Sequence, residues 1–174
     1  MSIIPIKIYP DPVLRQKAEP VIDITDKLVG LLEDMTETMY QAPGIGLAAP
    51  QVGISTRACV VDVGSDENSG RVSRLYKLIN PEIVKKEGKT KYEEGCLSIP
   101  GIHEFVERAE WIRVNALNEK GNPVEIEADG LLAICLQHEI DHLDGILFPD
   151  RLSGLKKRLV QGKLKKLIED RQNS

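Results

Sequence analysis

Residues 131–142 read Leu131-Leu132-Ala133-Ile134-Cys135-Leu136-Gln137-His138-Glu139-Ile140-Asp141-His142. An apolar run leads directly into two histidines four positions apart, a spacing that sets both imidazoles on one face of an α-helix. Asp129 ahead of the run reads as the N-cap, and Gly145 and Pro149 beyond it read as stop signals, so a helix is expected through Leu143. The apolar run puts this helix in the interior, where unpaired imidazoles and a carboxylate are costly. A buried pair at this spacing therefore calls for a metal ion. Glu139 follows the first histidine by one residue, about 100° round the helix, where it reaches a water on the metal instead of serving as a ligand. It reads as the general base. A divalent metal lowers the pKa of its water toward about 7 and polarises a carbonyl, so the implied chemistry is hydrolysis of an amide.

Outward from this helix the pattern is mixed. Thr25 caps an amphipathic helix carrying Leu28, Leu31, Leu32, Met35 and Met39 at helical spacing, which Pro43 and Gly44 would end. Ala58–Val63, Leu75–Ile79 and Trp111–Leu117 read as strands, the last with Ile112, Val114 and Ala116 alternating with polar residues. Turn residues fill Gly64–Gly70, and Glu119-Lys120-Gly121-Asn122 separates two strand-like runs as a hairpin does. A basic helix is expected near Leu152 to Arg171. The expected fold class is α+β: antiparallel strands packed around a central metal-binding helix, with a C-terminal basic helix. A length of 174 residues suits one domain, taken as 1–174.

Composition excludes several function classes. No apolar run approaches the roughly 20 residues that cross a bilayer, and the first ten residues lack the pattern of a secretory signal. No membrane partner is expected, and the cytoplasm is the expected location. Cys59, Cys96 and Cys135 are an odd number at irregular spacing, which argues for reduced thiols. The net charge of −4 is uneven: residues 151–174 hold eight Lys or Arg against two acids, which leaves the first 150 at −10. With 4% aromatic residues there is little material for base stacking, so DNA is excluded as a partner.

A catalytic metal site keeps three protein ligands and one open position, so a third ligand is needed. The metzincin pattern HExxHxxGxxH fits at Gly145 but has Phe148 where the third histidine belongs. Downstream carboxylates Glu169 and Asp170 sit among the basic residues of the terminal helix. Cys135 shares the helix face but lies roughly 10 Å along the axis from His142, and it reads as a pocket wall. Cys96 lies in Glu94-Gly95-Cys96-Leu97-Ser98-Ile99-Pro100-Gly101, a punctuated stretch able to bring a thiolate against a helix, and is the expected third ligand. Cys59, in an apolar run, reads as a small buried side chain.

Three segments together resemble a known family: Gly44-Ile45-Gly46-Leu47-Ala48-Ala49-Pro50-Gln51, Glu94-Gly95-Cys96-Leu97-Ser98 and Gln137-His138-Glu139-Ile140-Asp141-His142. Their order and spacing are similar to those of bacterial-type peptide deformylases, and the similarity extends along nearly the whole chain. The resemblance implies hydrolysis of the formyl group from N-terminal formyl-methionine of nascent proteins, a step of N-terminal methionine processing that releases formate. It implies Fe²⁺ as the native metal, with Zn²⁺ or Ni²⁺ able to substitute, held by Cys96, His138 and His142. Glu139 becomes the acid/base, and the Gln51 side chain and Leu97 backbone N–H become oxyanion donors. Gly46, in the segment Gly44-Ile45-Gly46, would align the peptide, while Ile45, Ile134, Cys135 and Leu97 would line a methionine pocket. Glu94 and Arg108 match a supporting ion pair; His103 stays outside the expected site. The basic helix, with Lys156, Lys157, Arg158, Lys163, Lys165 and Lys166, suits contact with ribosomal RNA phosphates. The rival readings are an HExxH zinc endopeptidase and a non-catalytic structural zinc module, which would normally be closed by a fourth protein ligand.

Overall fold

The computed structural model describes residues 2–174. Three α-helices, α1 (Asp26–Gln41), α2 (Gly130–Leu143) and α3 (Gly154–Gln172), accompany seven strands. The strands are β1 (Gly46–Ala48), β2 (Ala58–Val61), β3 (Tyr76–Glu87), β4 (Thr90–Cys96), β5 (Ile99–Arg108), β6 (Trp111–Leu117) and β7 (Pro123–Asp129). All pairings are antiparallel, in a five-stranded sheet of order β1-β2-β3-β6-β7 and a separate β4-β5 hairpin. This is the expected α+β arrangement, with α2 at its centre and the basic helix at its end.

The β2 strand explains how α2 comes to be buried. All four of its residues are buried, and they divide by parity as a pleat requires. Cys59 and Val61 join the cluster formed with Ala133, Leu136, Ile140 and Leu143 of α2, whereas Ala58 and Val60 join Leu32, Met35 and Met39 of α1. The sheet is thus covered by a helix on each face at this end, which accounts for the unbroken apolar run in its sequence. A third cluster packs Ile99, Ile102 and Val106 of β5 against Phe148 and against Val160 and Leu164 of α3.

Thr25 caps α1 as expected, its hydroxyl accepting from the Leu28 N–H at 3.2 Å, and the helix ends at Gln41 with Ala42 as its C-cap, directly before Pro43, as expected. Other local expectations need correction. Asp129 occupies the N-cap position of α2 yet makes no side-chain capping bond; it is the last residue of β7, paired with Trp111. Gly130 makes the turn from strand to helix at φ +55°, a left-handed conformation that favours glycine. The strand expected over 75–79 runs on to Glu87, because Pro81 falls at an irregularity in the β3–β6 register instead of ending the strand. The hairpin through Glu119–Asn122 is present, with the Asn118 side chain accepting from the N–H groups of Lys120 and Asn122.

Candidate metal centre and active site

The burial of α2 carries His138, Glu139 and His142 into the interior, where each keeps less than a tenth of its surface exposed. Across from them, the β4–β5 hairpin turns at Leu97 and Ser98 and presents Cys96 from its last β4 position. Cys96 Sγ stands 3.3 Å from His142 Nε2, and the two Nε2 atoms are 3.1 Å apart. All three donor atoms lie within 4.8 Å of one another.

The second nitrogen of His138 fixes what its first can do. Nδ1 lies 2.8 Å from Glu94 Oε1, and a carboxylate only accepts, so Nδ1 holds a proton and Nε2 is the nitrogen left to face the cluster. Burial would lower the His138 pKa, but Cys96 and Glu94 outweigh it and raise it well above the usual imidazole value, so a metal bound through Nε2 would displace a proton. Burial would raise the Glu94 carboxyl pKa, but Arg108 and His138 outweigh it and hold it below the ordinary carboxylate value. At His142, burial, reinforced by His138 and Arg108, pushes the pKa well below the usual imidazole value, which keeps the ring neutral. Two imidazole nitrogens and a thiol sulfur, all metal-donor atoms, converge in the interior, with His142 Nε2 at 3.1 Å from His138 Nε2 and 3.3 Å from Cys96 Sγ. Tetrahedral coordination at zinc bond lengths would separate such ligands by about 3.3 to 3.6 Å. The donor set therefore fits a divalent metal. No other His, Cys, Asp or Glu joins the cluster among the described residues.

Glu139 is a buried carboxyl with one oxygen, Oε2, free of protein partners. Burial, aided by Glu94 and opposed by His138 and Arg108, lifts its carboxyl to about 7. A carboxyl with a pKa near neutrality both takes and returns a proton at working pH. Gly46 makes room for it: a Cβ there would stand 2.7 Å from Glu139 Oε1 and 2.8 Å from Cys135 Sγ.

Gln51 is buried in the short helical turn that follows β1. Its Oε1 accepts from the Ala48 N–H at 3.0 Å, which aims Nε2 toward the hairpin turn, 3.1 Å from Ser98 Oγ and 3.7 Å from Cys96 Sγ. The two segments are further registered by the N-terminal stretch, whose Lys7 N–H donates to Gln51 O at 2.7 Å and whose Tyr9 N–H donates to Ser98 O at 2.9 Å.

A cleft of about 740 Å³ opens over these groups. Every residue expected in the site lines it except His142, which is buried: Ile45, Gly46, Ile134 and Cys135 form apolar wall, beside Gln51, Cys96, Leu97, His138 and Glu139. Cys135 is wall and not ligand, as expected, with its Sγ 3.5 Å from the Ile45 carbonyl. Cys59 is fully buried, and burial pushes its thiol far above the usual range. His103, left outside the expected site, lines the cleft against Gly95, where a Cβ would meet the imidazole at 2.6 Å.

A family model described as polypeptide deformylase matches residues 3–158. The chain belongs to the peptide deformylase family. The peptide deformylase of Alkalilimnicola ehrlichii is 54% identical over 168 residues, covering 97% of this chain and 92% of that protein. That of Neisseria meningitidis is 52% identical over 166 residues, covering 95% and 96%. In three dimensions, a peptide deformylase crystal structure from Legionella pneumophila superposes with a TM-score of 0.87 at 45% identity, covering 99% of both chains. A second, from Thermus thermophilus, gives 0.87 at 44%. Membership of this family of metal-dependent hydrolases replaces the endopeptidase alternative, and the three-ligand cluster lacks the fourth ligand of a closed structural site.

Sequence reasoning missed several supporting residues. Ser98 receives the Gln51 amide, Asp141 and Arg151 extend the Glu94–Arg108 pair, and the Gln137 amide ties the β5–β6 corner to α2 through both backbone groups of Ala109. Arg151 is ten positions from Asp141, a separation with no periodic meaning, so nothing in the sequence linked them.

Proposed function

We propose that residues 1–174 form one catalytic domain that hydrolyses the formyl group of N-terminal formyl-methionyl peptides in the cytoplasm, using Fe²⁺ as the native metal. The observation carrying this reading is the convergence of Cys96, His138 and His142 beside a buried Glu139 at the floor of an open cleft, in a chain of this family. A divalent ion held by these three side chains supplies Lewis acidity and acidifies a water toward neutrality; Zn²⁺ or Ni²⁺ can substitute.

The chain's own residues do the rest. Glu139 takes the proton of the attacking water and returns it to the departing amine, so formate and a free N-terminus are the products. Gln51 Nε2 and the Leu97 N–H donate to the oxyanion that develops on the formyl oxygen. Among the described residues the outer edge of β1 pairs with no strand, and with Gly46 lacking a side chain it suits addition of the peptide as a further strand. Ile45, Leu97, Ile134 and Cys135 suit an unbranched thioether such as methionine. The cationic face of α3, where Lys156, Arg158, Lys163, Lys165 and Lys166 are exposed while Val160 and Leu164 are buried, suits docking on ribosomal RNA.

The test is formate release from a formyl-Met tripeptide by protein reconstituted anaerobically with Fe²⁺ or with Ni²⁺, alongside Glu139→Ala and Cys96→Ser. Release that is metal-dependent, lost in both variants and absent with the acetyl analogue is expected. No release from fully metallated protein, with cleavage of unformylated peptides instead, would overturn it.

A further inference from the structure

The ion pairs behind His138 do not stop at Glu94 and Arg108. Arg108 is buried and divides its guanidinium: Nε and Nη2 each donate to Glu94 at 2.8 Å, while Nη1 donates to Asp141 Oδ2 at 2.6 Å. Asp141 is also buried, and its second partner comes from outside α2. Arg151, at the end of the short helical turn Phe148–Arg151 that precedes α3, donates Nη2 to Asp141 Oδ1 at 2.6 Å and Nε to Oδ2 at 3.1 Å. The chain of contacts therefore runs Arg151, Asp141, Arg108, Glu94, His138, from a side chain 42% exposed to a ring with its Nε2 in the metal cluster.

We propose that Arg151 is a positioning residue for the metal centre: by occupying Asp141 bidentately it leaves Arg108 free to hold Glu94, and thereby His138, in the ligating orientation. The argument is one of competition. Two buried carboxylates face one buried guanidinium, and a carboxylate left without its partner recruits the nearest donor. Without Arg151, Asp141 Oδ1 loses its hydrogen bond and the carboxylate turns to take Arg108 as a two-pronged partner. Glu94 then gives up one or both of its bonds to Arg108, and the ring it orients gains freedom. Hydrogen-bond partners of this kind, one contact closer to a metal, typically change its affinity 10- to 100-fold. The proposal rests on Cys96, His138 and His142 being the metal ligands, and not on which peptide is the substrate.

The experiment measures the metal itself. Zn²⁺-loaded wild type, Arg151→Ala, Arg151→Lys, Asp141→Asn and the Arg151→Ala/Asp141→Asn double variant are mixed with excess chromophoric chelator, and the Zn²⁺ release rate is recorded. The Co²⁺-substituted proteins are compared by their d–d and thiolate charge-transfer bands. Arg151→Ala should release Zn²⁺ on the order of tenfold faster and shift the Co²⁺ spectrum. Lysine, a point donor that reaches one carboxylate oxygen, should restore only part of the effect. In the Asp141→Asn background the Arg151→Ala effect should largely vanish, because the competing charge is gone. Arg15→Ala, which breaks the neighbouring Arg15–Asp150 pair on the same turn, should leave release unchanged. If Arg151 serves only to launch α3, its variants will lower Tm while release rate and spectrum match wild type, and that result overturns the proposal. Wild type that binds neither Zn²⁺ nor Co²⁺ would overturn the metal centre itself, and this inference with it.

Discussion

Gly46 and Glu139 approach so closely that even a methyl group does not fit between them: a Cβ at position 46 would lie 2.7 Å from the carboxylate Oε1. The same methyl would meet Cys135 Sγ at 2.8 Å and Glu139 Cγ at 2.9 Å, so turning the carboxylate tip alone does not clear it. Gly46→Ala must push either β1 or Glu139 out of position. Overpacking of this kind costs about 1 to 3 kcal/mol of stability, and an ångström-scale misplacement of a catalytic group costs roughly 10²-fold in rate. The expectation is a fall in kcat/KM of that order with metal content unchanged. Deformylation kinetics beside metal analysis of the purified variant provide the check; a variant with wild-type kcat/KM would show that the contact is not felt.

Gln51 is held at both ends of its amide, by the Ala48 N–H and by Ser98 Oγ, which would pre-place it for the oxyanion-donor role proposed for it. Removing one such donor typically costs 10² to 10³ in kcat. Gln51→Leu should fall in that range, and Gln51→Glu should be at least as poor, since it replaces a donor with a second negative charge near the developing oxyanion. Ser98→Ala removes only the support, so a loss of about tenfold or less is expected, carried by kcat with KM little changed. Equal losses in Gln51→Leu and Ser98→Ala would contradict this division of roles.

What the sequence disclosed and what it hid follow from the range of the interactions. His138, Glu139 and His142 were legible because helical spacing is a local property, and Cys96 because glycine and proline punctuate its loop. The helix capping at Thr25 and the hairpin at Asn118–Asn122 are equally local. The strand β4 was missed because Lys91, Tyr92 and Glu93 are all exposed, and β5 because its buried Ile99, Ile102 and Val106 fall three and four positions apart instead of alternating. The length of β3 was hidden by Pro81, whose effect depends on the register of a neighbouring strand. Arg151, Lys7 and Tyr9 act only through contacts made after folding, which leave no periodic trace.

Metal removal should be visible as lost stability. A ligand that binds only the native state contributes about 2.7 kcal/mol at a hundredfold excess over its Kd, and for a chain of this size each kcal/mol moves Tm by about 2 to 4 °C. Chelation should therefore lower Tm by roughly 5 to 10 °C, reversibly on adding Zn²⁺, if Cys96, His138 and His142 hold the ion in the native state. Cys96→Ser should show a smaller chelator effect, having weakened the site already. Calorimetry with and without chelator decides; identical Tm values for wild type in both conditions would remove the stabilising role of the ion.

Tyr40 and Asp62 brace the lip of the cleft from outside. The Tyr40 hydroxyl, at the end of α1, donates to Asp62 Oδ2 at 2.7 Å, and the Asp62 N–H donates to the Ile45 carbonyl at 2.9 Å, so the segment from Gln41 to Ile45 is tied down at both ends. Burial alone would raise the Asp62 pKa, but hydrogen bonds from Tyr40, Gly64 and Ser73 outweigh it and lower it below 3.8. Burial, with Asp62 beside it, pushes the Tyr40 hydroxyl up to about 12. The depressed Asp62 contributes stability that is present above its unfolded pKa and lost as pH falls through the folded value. The raised Tyr40 contributes stability that is complete below its unfolded pKa of 10.0 and lost as pH rises toward about 12. Tyr40 is 48% exposed, so screening limits the bond to no more than about 1 kcal/mol. The stability advantage of wild type over Tyr40→Phe should therefore be flat between about pH 5 and 9 and shrink on both sides. Urea denaturation across pH measures it, and an advantage that persists unchanged at pH 2.5 would mean the Asp62 charge has no part in the brace. In the flat range Tyr40→Phe should raise KM for a formylated peptide by a few-fold with kcat unchanged, if the lip it steadies, which lines the cleft at residues 42–45, holds the peptide as proposed.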